Sequence, residues 1–564
     1  MFGREARRAL RCFVALLLLV ETVPLGPEAP LTAQTAAPVK QAATGRAGMV
    51  SSAHPLATQA GLEILAAGGN AFDAAVAIAA TLNVVEPMMS GIGGYGTTLT
   101  YDAASHRARF LNCSGRIPKR LDPDVFRSPT PNFQENRRGA LAISTPGNLN
   151  CWRAMSREYG KLEWSRLFDP AIRAAENGHP LNESVAGAIA NAFAEFPPHA
   201  QAIYGKDGKP LAAGELLVQK DLGRTLRAVA GRGPGIVHGG ELGEAIIAEV
   251  KSRGGALTLD DLRENQAEWW EPSGIRYRGY EVMTASPPAT AFPSLVRLGL
   301  MSRLDARKLG HNSVDYLHWF AEITKHSFWT RLRYAGDPDV APPPLGMLLS
   351  EKYWAEQVAQ MDAQRARPFV PPAVPASESH TTHFVVADRW GNVVSATQTL
   401  GNLFGSRILA PGTGIWLNNS LAYSTFEPKG NPMDAFPGRR KLSGDCPTYV
   451  FREGKLWAAL GTPGGHTIGQ TVPQIVINLI DFKMDIQQAI ATPRVSFAEP
   501  DRLLVERAIP ETVRQGLAER GHNVVPVGGI GNAHGLTITY DSSGRPSRFA
   551  GGADPRGSGL ARGY

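Results

Sequence analysis

The chain has 564 residues, 43% of them hydrophobic and 19% charged, which is enough apolar material for a sizeable buried core and excludes a large disordered block. The net charge of +7 includes arginines of the N-terminal leader. No later block of lysine and arginine interleaved with aromatics occurs, so nucleic acid is excluded as a partner.

The first residues combine Arg4, Arg7, Arg8 and Arg11 with an apolar run from Phe13 to Val20 and small residues at Thr32-Ala33 and Thr35-Ala36-Ala37. This is the pattern of a secretory signal, with residues 1–37 as the leader and the periplasm or the exterior as destination. The apolar run falls short of the ~20 residues a membrane span needs, and no later segment qualifies, so no stable membrane span is expected. Export leaves Cys113, Cys151 and Cys446, an odd set that allows at most one bridge; buried free thiols are the expected state.

Residues 55 to 86 carry apolar and small residues at helical spacing, with Gly68-Gly69-Asn70 separating two helices. The second, from Ala71 to Val84, is apolar almost all round and is predicted to be buried. Ser90 to Gly96 satisfies G-x-G-x-x-G, but a helix precedes it and a strand-like run follows. A dinucleotide loop needs the reverse order, so no cofactor is predicted there. The middle, from about 150 to 360, reads as mostly helical, with extended stretches such as Tyr277 to Thr284.

Pro-rich residues 367–380 form neither helix nor central strand and read as an exposed, mobile linker. The linker ends on Thr381-Thr382, where β-branched runs Thr382–Ala387 and Val393–Thr399 flank a turn-rich joint, the pattern of a hairpin. Thr381 thus stands where a loop meets a sheet. A threonine hydroxyl needs a base, and cutting the His380–Thr381 bond would create one, the α-amine, with an ordinary pKa of ~7.7–8.0. β-propensity alone also explains a Thr-Thr pair at a strand start. Beyond it, Arg439-Arg440-Lys441 is the densest basic cluster and is expected to be a solvated loop, the alternative being an anionic substrate beside it. A helix is expected after Gly464-Gly465.

Taken in order, His54-Pro55-Leu56-Ala57, Gly68 to Ala75, Val85-Glu86-Pro87, Ser90 to Gly94, Ser144 to Gly147, Tyr277 to Tyr280, Gly336 to Asp339, Leu417-Asn418-Asn419, Thr462 to Gly465 and Asp554-Pro555-Arg556 resemble the γ-glutamyltranspeptidase family of N-terminal-nucleophile hydrolases. The resemblance implies an α+β fold, a four-layer αββα sandwich formed jointly by two pieces of one self-cleaved chain. The pieces would be a large subunit 38–380 and a small subunit 381–564 that remain associated after the cut. It implies Thr381 as nucleophile, Thr399 as the group orienting its hydroxyl or amine, and Gly464 and Gly465 as backbone donors to the oxyanion.

The resemblance also shows departures at the substrate positions. Where members cleaving γ-glutamyl amides carry an arginine for the α-carboxylate, this chain has Ser114, with Arg116 displaced by two. Where they carry an acid for the α-ammonium it has Tyr423, an asparagine is replaced by Gly401, and paired serines become Ser443-Gly444. Losing charge-assisted bonds of ~1.5–3 kcal/mol each disfavours an ordinary γ-glutamyl group. A shortened segment between Asn419 and Ser443 predicts an open site for a bulkier or different acyl group. The sequence therefore reads as a self-processing hydrolase or acyltransferase acting on a small amide or peptide. True glutathione hydrolase is the alternative, and a catalytically dead periplasmic binding or scaffold protein is the reading from another class. His380 and His383 lack the companions of an H-E-x-x-H set, so no metal is expected.

Overall fold

The computed structural model describes residues 41–372 and 380–564. The expected leader and the last part of the Pro-rich linker lie outside the described residues. Two seven-stranded antiparallel sheets dominate. The first runs, edge to edge, Ala43–Gly45, Pro546–Ala553, His534–Tyr540, Lys455–Gly461, Thr448–Arg452, Tyr280–Thr284 and Ser273–Tyr277. The second runs Leu560–Gly563, Gly48–Ser52, His380–Asp388, Val393–Gly401, Tyr95–Asp102, Arg107–Cys113 and Glu268–Trp270. Both sheets contain strands from before and from after residue 380, so neither side of the expected cut owns a complete core.

Period-two alternation distributes the strand His380–Asp388 between two cores. Val385 and Ala387 join the core between the sheets, with Tyr449 and Ala459. Phe384 and Val386 join the core beneath helices Pro55–Ala66 and Ala71–Val85. On the far side, helices Phe292–Met301, Val314–Tyr334 and Ile468–Ile480 pack together, the first and last of them also against the first sheet, completing the αββα sandwich. The Tyr449 hydroxyl fastens the sheets at 2.8 Å from the carbonyls of Leu99 and Val393.

Local chemistry explains the element boundaries. Asn70 caps the helix Ala71–Val85 in a box with Asp73, and every residue of that helix is buried. Asp388 accepts from the Ala71 amide at 2.9 Å and from the amides of Trp390 and Asn392, so one carboxylate closes the hairpin turn and docks it on the helix start. No dinucleotide geometry arises, since that helix precedes Gly91 to Gly94 and the strand Tyr95–Asp102 follows.

Three expectations change. Cys113 and Cys151 form a disulfide, with Cα atoms 5.7 Å apart, and among the described residues only Cys446 is a buried free thiol; the strand Arg107–Cys113 and the helix Asn148–Tyr159 pack directly and bring together residues distant in sequence. Tyr277 to Thr284 is a hairpin rather than one extended run, because Arg278 and Gly279 take positive φ. The linker up to Pro372 has no helix or strand, but it is pinned, its Arg367 carbonyl accepting from Lys325 Nζ at 2.8 Å and Phe369 meeting Phe497 edge to face at 4.8 Å.

A buried polar seam runs between the sheets. Ser51 Oγ donates to the Gly552 carbonyl at 2.7 Å, so His534 Nδ1, 3.0 Å away, is the protonated nitrogen of a neutral ring. Burial pushes His534 down to about 4. A depressed histidine contributes stability in full above the unfolded value near 6.5, and that contribution is lost as pH falls toward 4. Replacing His534→Gln should therefore lower the melting temperature at pH 7.5, and the gap to the parent should narrow steadily down to pH 4.5. A gap independent of pH would contradict this account.

Candidate active site

Alternation along His380–Asp388 separates the two threonines. Thr382 turns to the helical side, where its hydroxyl donates to Glu86 Oε2 at 2.7 Å. Burial pushes Glu86 up to about 7. Thr381 turns to the inter-sheet side and accepts from the Gly464 amide at 3.0 Å. Gly464 follows the strand Lys455–Gly461 of the opposite sheet and has φ of 131°, with Gly465 at 57°, a backbone path that favours glycine. A 3-10 turn Gly465–Thr467 and the helix Ile468–Ile480 follow, as expected.

Thr399 lies directly opposite Thr381 in the ladder, with an irregularity between His380 and Thr381. Its hydroxyl donates to the His380 carbonyl oxygen, the carbonyl of the bond expected to break. The reason is a count of lone pairs. Thr399 Oγ1 accepts from the Gly401 amide at 2.8 Å and is also hydrogen-bonded to Tyr95. A hydroxyl has two acceptor sites and one hydrogen, so with both sites filled the hydrogen is directed onto the carbonyl. Tyr95 is buried, and burial beside Asp445 holds its phenol well above the ordinary value, so it is a neutral donor. In the intact chain Thr399 therefore addresses the His380 carbonyl rather than the Thr381 hydroxyl.

The substrate-side candidates divide. Arg116 does not reach the site; it donates to Glu268 at 2.8 Å and to the Gly438 carbonyl at 3.2 Å, held there by a bridge to Arg440. Ser114 is fully buried, its Oγ without a hydrogen-bond partner among the described residues. Gly401 has φ of 97°, and a Cβ there would overlap Asn419 Oδ1. Ser443 Oγ donates to Asp445 at 2.6 Å, and burial pushes Asp445 up to about 6. A Cβ on Gly444 would overlap the Tyr423 hydroxyl. The tyrosine and the missing serine side chain are thus one departure: the ring occupies the space a residue 444 side chain would need.

The basic cluster is not a solvated loop throughout. Arg439 is exposed, but Arg440 is paired with Glu268, Asp337 and Asp339. Lys441 is 1% exposed, its amide donating to the Gly115 carbonyl at 3.2 Å. Its Nζ, 4.4 Å from the Tyr95 ring and 4.7 Å from the Tyr423 ring, has no hydrogen-bond partner among the described residues. Burial lowers Lys441 to about 7. Arg331, on the helix Val314–Tyr334, also lies against the Tyr423 ring at 4.8 Å, its guanidinium nitrogens likewise without a hydrogen-bond partner among the described residues. Sequence reasoning missed Arg331, Tyr95 and Glu86; the motif Val85-Glu86-Pro87 was visible, but its contact with Thr382 needs the tertiary fold. The space beside Gly465, Tyr423 and Arg331 is about 20 Å³.

Residues 57–564 match the family model described as Gamma-glutamyltranspeptidase. An acylase ACY 1 proenzyme of Pseudomonas sp. (strain V22) is 36% identical over 86% of this chain and 88% of its own. The glutathione hydrolase proenzyme of Bacillus subtilis (strain 168) is 32% identical over 98% of each. The crystal structure of cephalosporin acylase from Bacillus halodurans superposes with a TM-score of 0.85 at 28% identity, covering 96% of this chain and 99% of that one. The chain belongs to the γ-glutamyltranspeptidase family of self-processing N-terminal-nucleophile hydrolases.

Proposed function

We propose that the chain is an exported amide hydrolase that cuts itself between His380 and Thr381 and then forms an acyl-enzyme on Thr381 with an acyl group other than the ordinary γ-glutamyl. The observation that carries the reading is the Thr381 hydroxyl bonded to the Gly464 amide while Thr399 donates to the His380 carbonyl.

Self-cleavage begins with attack of Thr381 Oγ on the His380 carbonyl carbon, and the carbonyl oxygen takes up charge against the Thr399 hydroxyl. Collapse breaks the C–N bond, the hydroxyl proton ending on the departing nitrogen as the free α-amine, and leaves an ester between His380 and Thr381 Oγ. Water then hydrolyses the ester, leaving a carboxylate on His380 and both hydroxyl and α-amine on Thr381. In the mature enzyme the amine takes the hydroxyl proton as Oγ attacks a substrate amide and passes it to the departing amine. The Gly464 and Gly465 amides stabilise the oxyanion, and water or an acceptor amine releases the acyl group. Because both sheets are built from strands of both pieces, residues 38–380 and 381–564 stay associated.

The acyl preference rests on charge. An α-ammonium needs an anion, and at that place stands Tyr423 with Lys441 and Arg331 against its ring. These buried cations suit an acyl group that carries a carboxylate and no ammonium. The name of the Pseudomonas relative, an acylase, supports the same direction; that of the Bacillus subtilis relative, a glutathione hydrolase, supports the alternative.

Three outcomes are expected. Thr381→Ala should remain one uncut chain by intact mass and lose at least about 10³-fold in amide turnover, whereas the parent should give two pieces meeting between His380 and Thr381 that co-purify. Tyr95→Phe should slow self-cleavage roughly tenfold, because the Thr399 hydrogen is no longer directed onto the carbonyl. Hydroxylamine, which attacks only the ester, should not restore the rate; full restoration would show that Tyr95 acts later. Among anilides, a glutaryl group should be cleaved at least about tenfold faster than γ-glutamyl, and equal or reversed rates would favour glutathione hydrolase.

A further inference from the structure

Arg331 stands in the wall of the cavity beside Gly465 with no hydrogen bond among the described residues to fix its guanidinium. Two rings lie against it, Phe328 at 5.4 Å and Tyr423 at 4.8 Å. Glu499 feels its charge but is not bonded to it. A guanidinium held by ring faces points where the rings place it. His466, next to Gly465, adjoins both rings, with centroids 5.8 Å from Phe328 and 5.4 Å from Tyr423. Phe328 in turn is backed by Phe497 at 5.7 Å and, from the linker, by Phe369 at 5.9 Å.

The linker reaches Phe328 along a row of neighbours on the helix Val314–Tyr334. His318, Glu322, Lys325, Phe328 and Arg331 follow one another at helical spacing, so each side chain adjoins the next on the helix surface. His318 Nε2 donates to the Asp362 carbonyl at 2.8 Å. The Arg367 amide donates to Glu322 Oε2 at 3.1 Å, and the Arg367 carbonyl accepts from Lys325 Nζ at 2.8 Å. Both backbone groups of Arg367 are thus held by one buried acid–base pair, Glu322 and Lys325, 3.2 Å apart. Phe369 follows and meets Phe328, and the next place in the row is Arg331. None of these contacts involves His380 or Thr381, so a cut between those two residues removes none of them.

We propose that Phe369, on the tail of the large subunit, is a positioning residue for acyl selectivity: it seats Phe328, and Phe328 with Tyr423 aims the Arg331 guanidinium at a carboxylate on the acyl group. The inference rests on the acyl reading above, in which Arg331 meets that carboxylate. It gives the tail a lasting part in the mature enzyme. Residues 362–372 stay docked along the helix after the cut and buttress a cavity to which they contribute no lining side chain.

The test uses the processed full chain and two anilides, glutaryl and butyryl, which differ in the acyl carboxylate. The parent should prefer glutaryl in kcat/KM by roughly tenfold. In Phe369→Ala that preference should fall at least about threefold, the scale of one cation–π contact, through KM for the glutaryl substrate with kcat nearly unchanged. Phe369→Tyr, which keeps the ring, should keep the preference. Arg331→Gln should lose it, and adding Phe369→Ala to Arg331→Gln should lower it no further. If the alanine variant does not fold, Phe369→Leu carries the comparison, with a loss of about twofold expected. No preference in the parent, an unchanged preference in the variant, an equal rise in KM for both anilides, or a further loss in the double variant overturns the inference. If neither anilide is turned over, the hydrolase reading fails separately, and calorimetric titration of the same proteins with glutarate decides the positioning role. Binding weakened by Arg331→Gln and by Phe369→Ala supports it; equal or absent binding overturns it.

Discussion

Everything at this site depends on the cross-strand register that places Thr381 opposite Thr399. A slip of one residue on the strand His380–Asp388 would exchange its two faces, turning Thr382 toward Gly464 and Thr381 toward Glu86. The register is held from both sides: Val385 and Ala387 are buried between the sheets, while Phe384 and Val386 are buried under the helices, so the strand has no polar face on which to slide. The closing turn adds the Asp388 carboxylate, bonded at once to the turn amides and to the start of the helix Ala71–Val85. The reactive geometry is thus a by-product of two apolar cores and one buried acid.

A good part of this was legible in the sequence. The hairpin, the fully apolar helix, the misleading glycine pattern and the helix after Gly464-Gly465 all follow from local periodicity and turn chemistry, which depend on near neighbours. What stayed illegible depends on tertiary contact. The Cys113–Cys151 bridge joins a strand end to a helix 38 positions away. Lys441 reads as part of a basic run, yet alternating environments leave Arg439 in solvent, Arg440 among carboxylates and Lys441 against two tyrosine rings. Arg331 gives no signal, since an arginine near the end of a long helix is ordinary.

The departures from the family pattern become intelligible as linked changes of shape and charge. Gly444 is required by Tyr423, whose hydroxyl occupies the space of a side chain there. The arginine absent at Ser114 has a counterpart in Lys441, whose backbone bonds to neighbouring Gly115. A cation is kept on that side of the pocket from a different strand segment, while the anion at position 423 is not replaced by another against the ring. On the proposed reading, the pocket has changed in the sign of what it asks for at one end of the acyl group and kept it at the other.

In the proposed mechanism the same few atoms serve two reactions that differ in what is bonded to Thr381. Before the cut, Thr399 is saturated by Gly401 and Tyr95 and its hydrogen rests on the His380 carbonyl, so stabilisation of the developing oxyanion is in place without any movement of the protein. The cut removes that carbonyl from covalent attachment and leaves the Thr399 hydrogen without its acceptor, next to a new α-amine. A neutral amine is an acceptor and a protonated one is not, so the same hydroxyl favours the amine in the form in which it can act as a base. Thr399 need not change its own bonds to Gly401 or Tyr95 for this exchange of partners, and a rigid sheet is then an advantage for both steps.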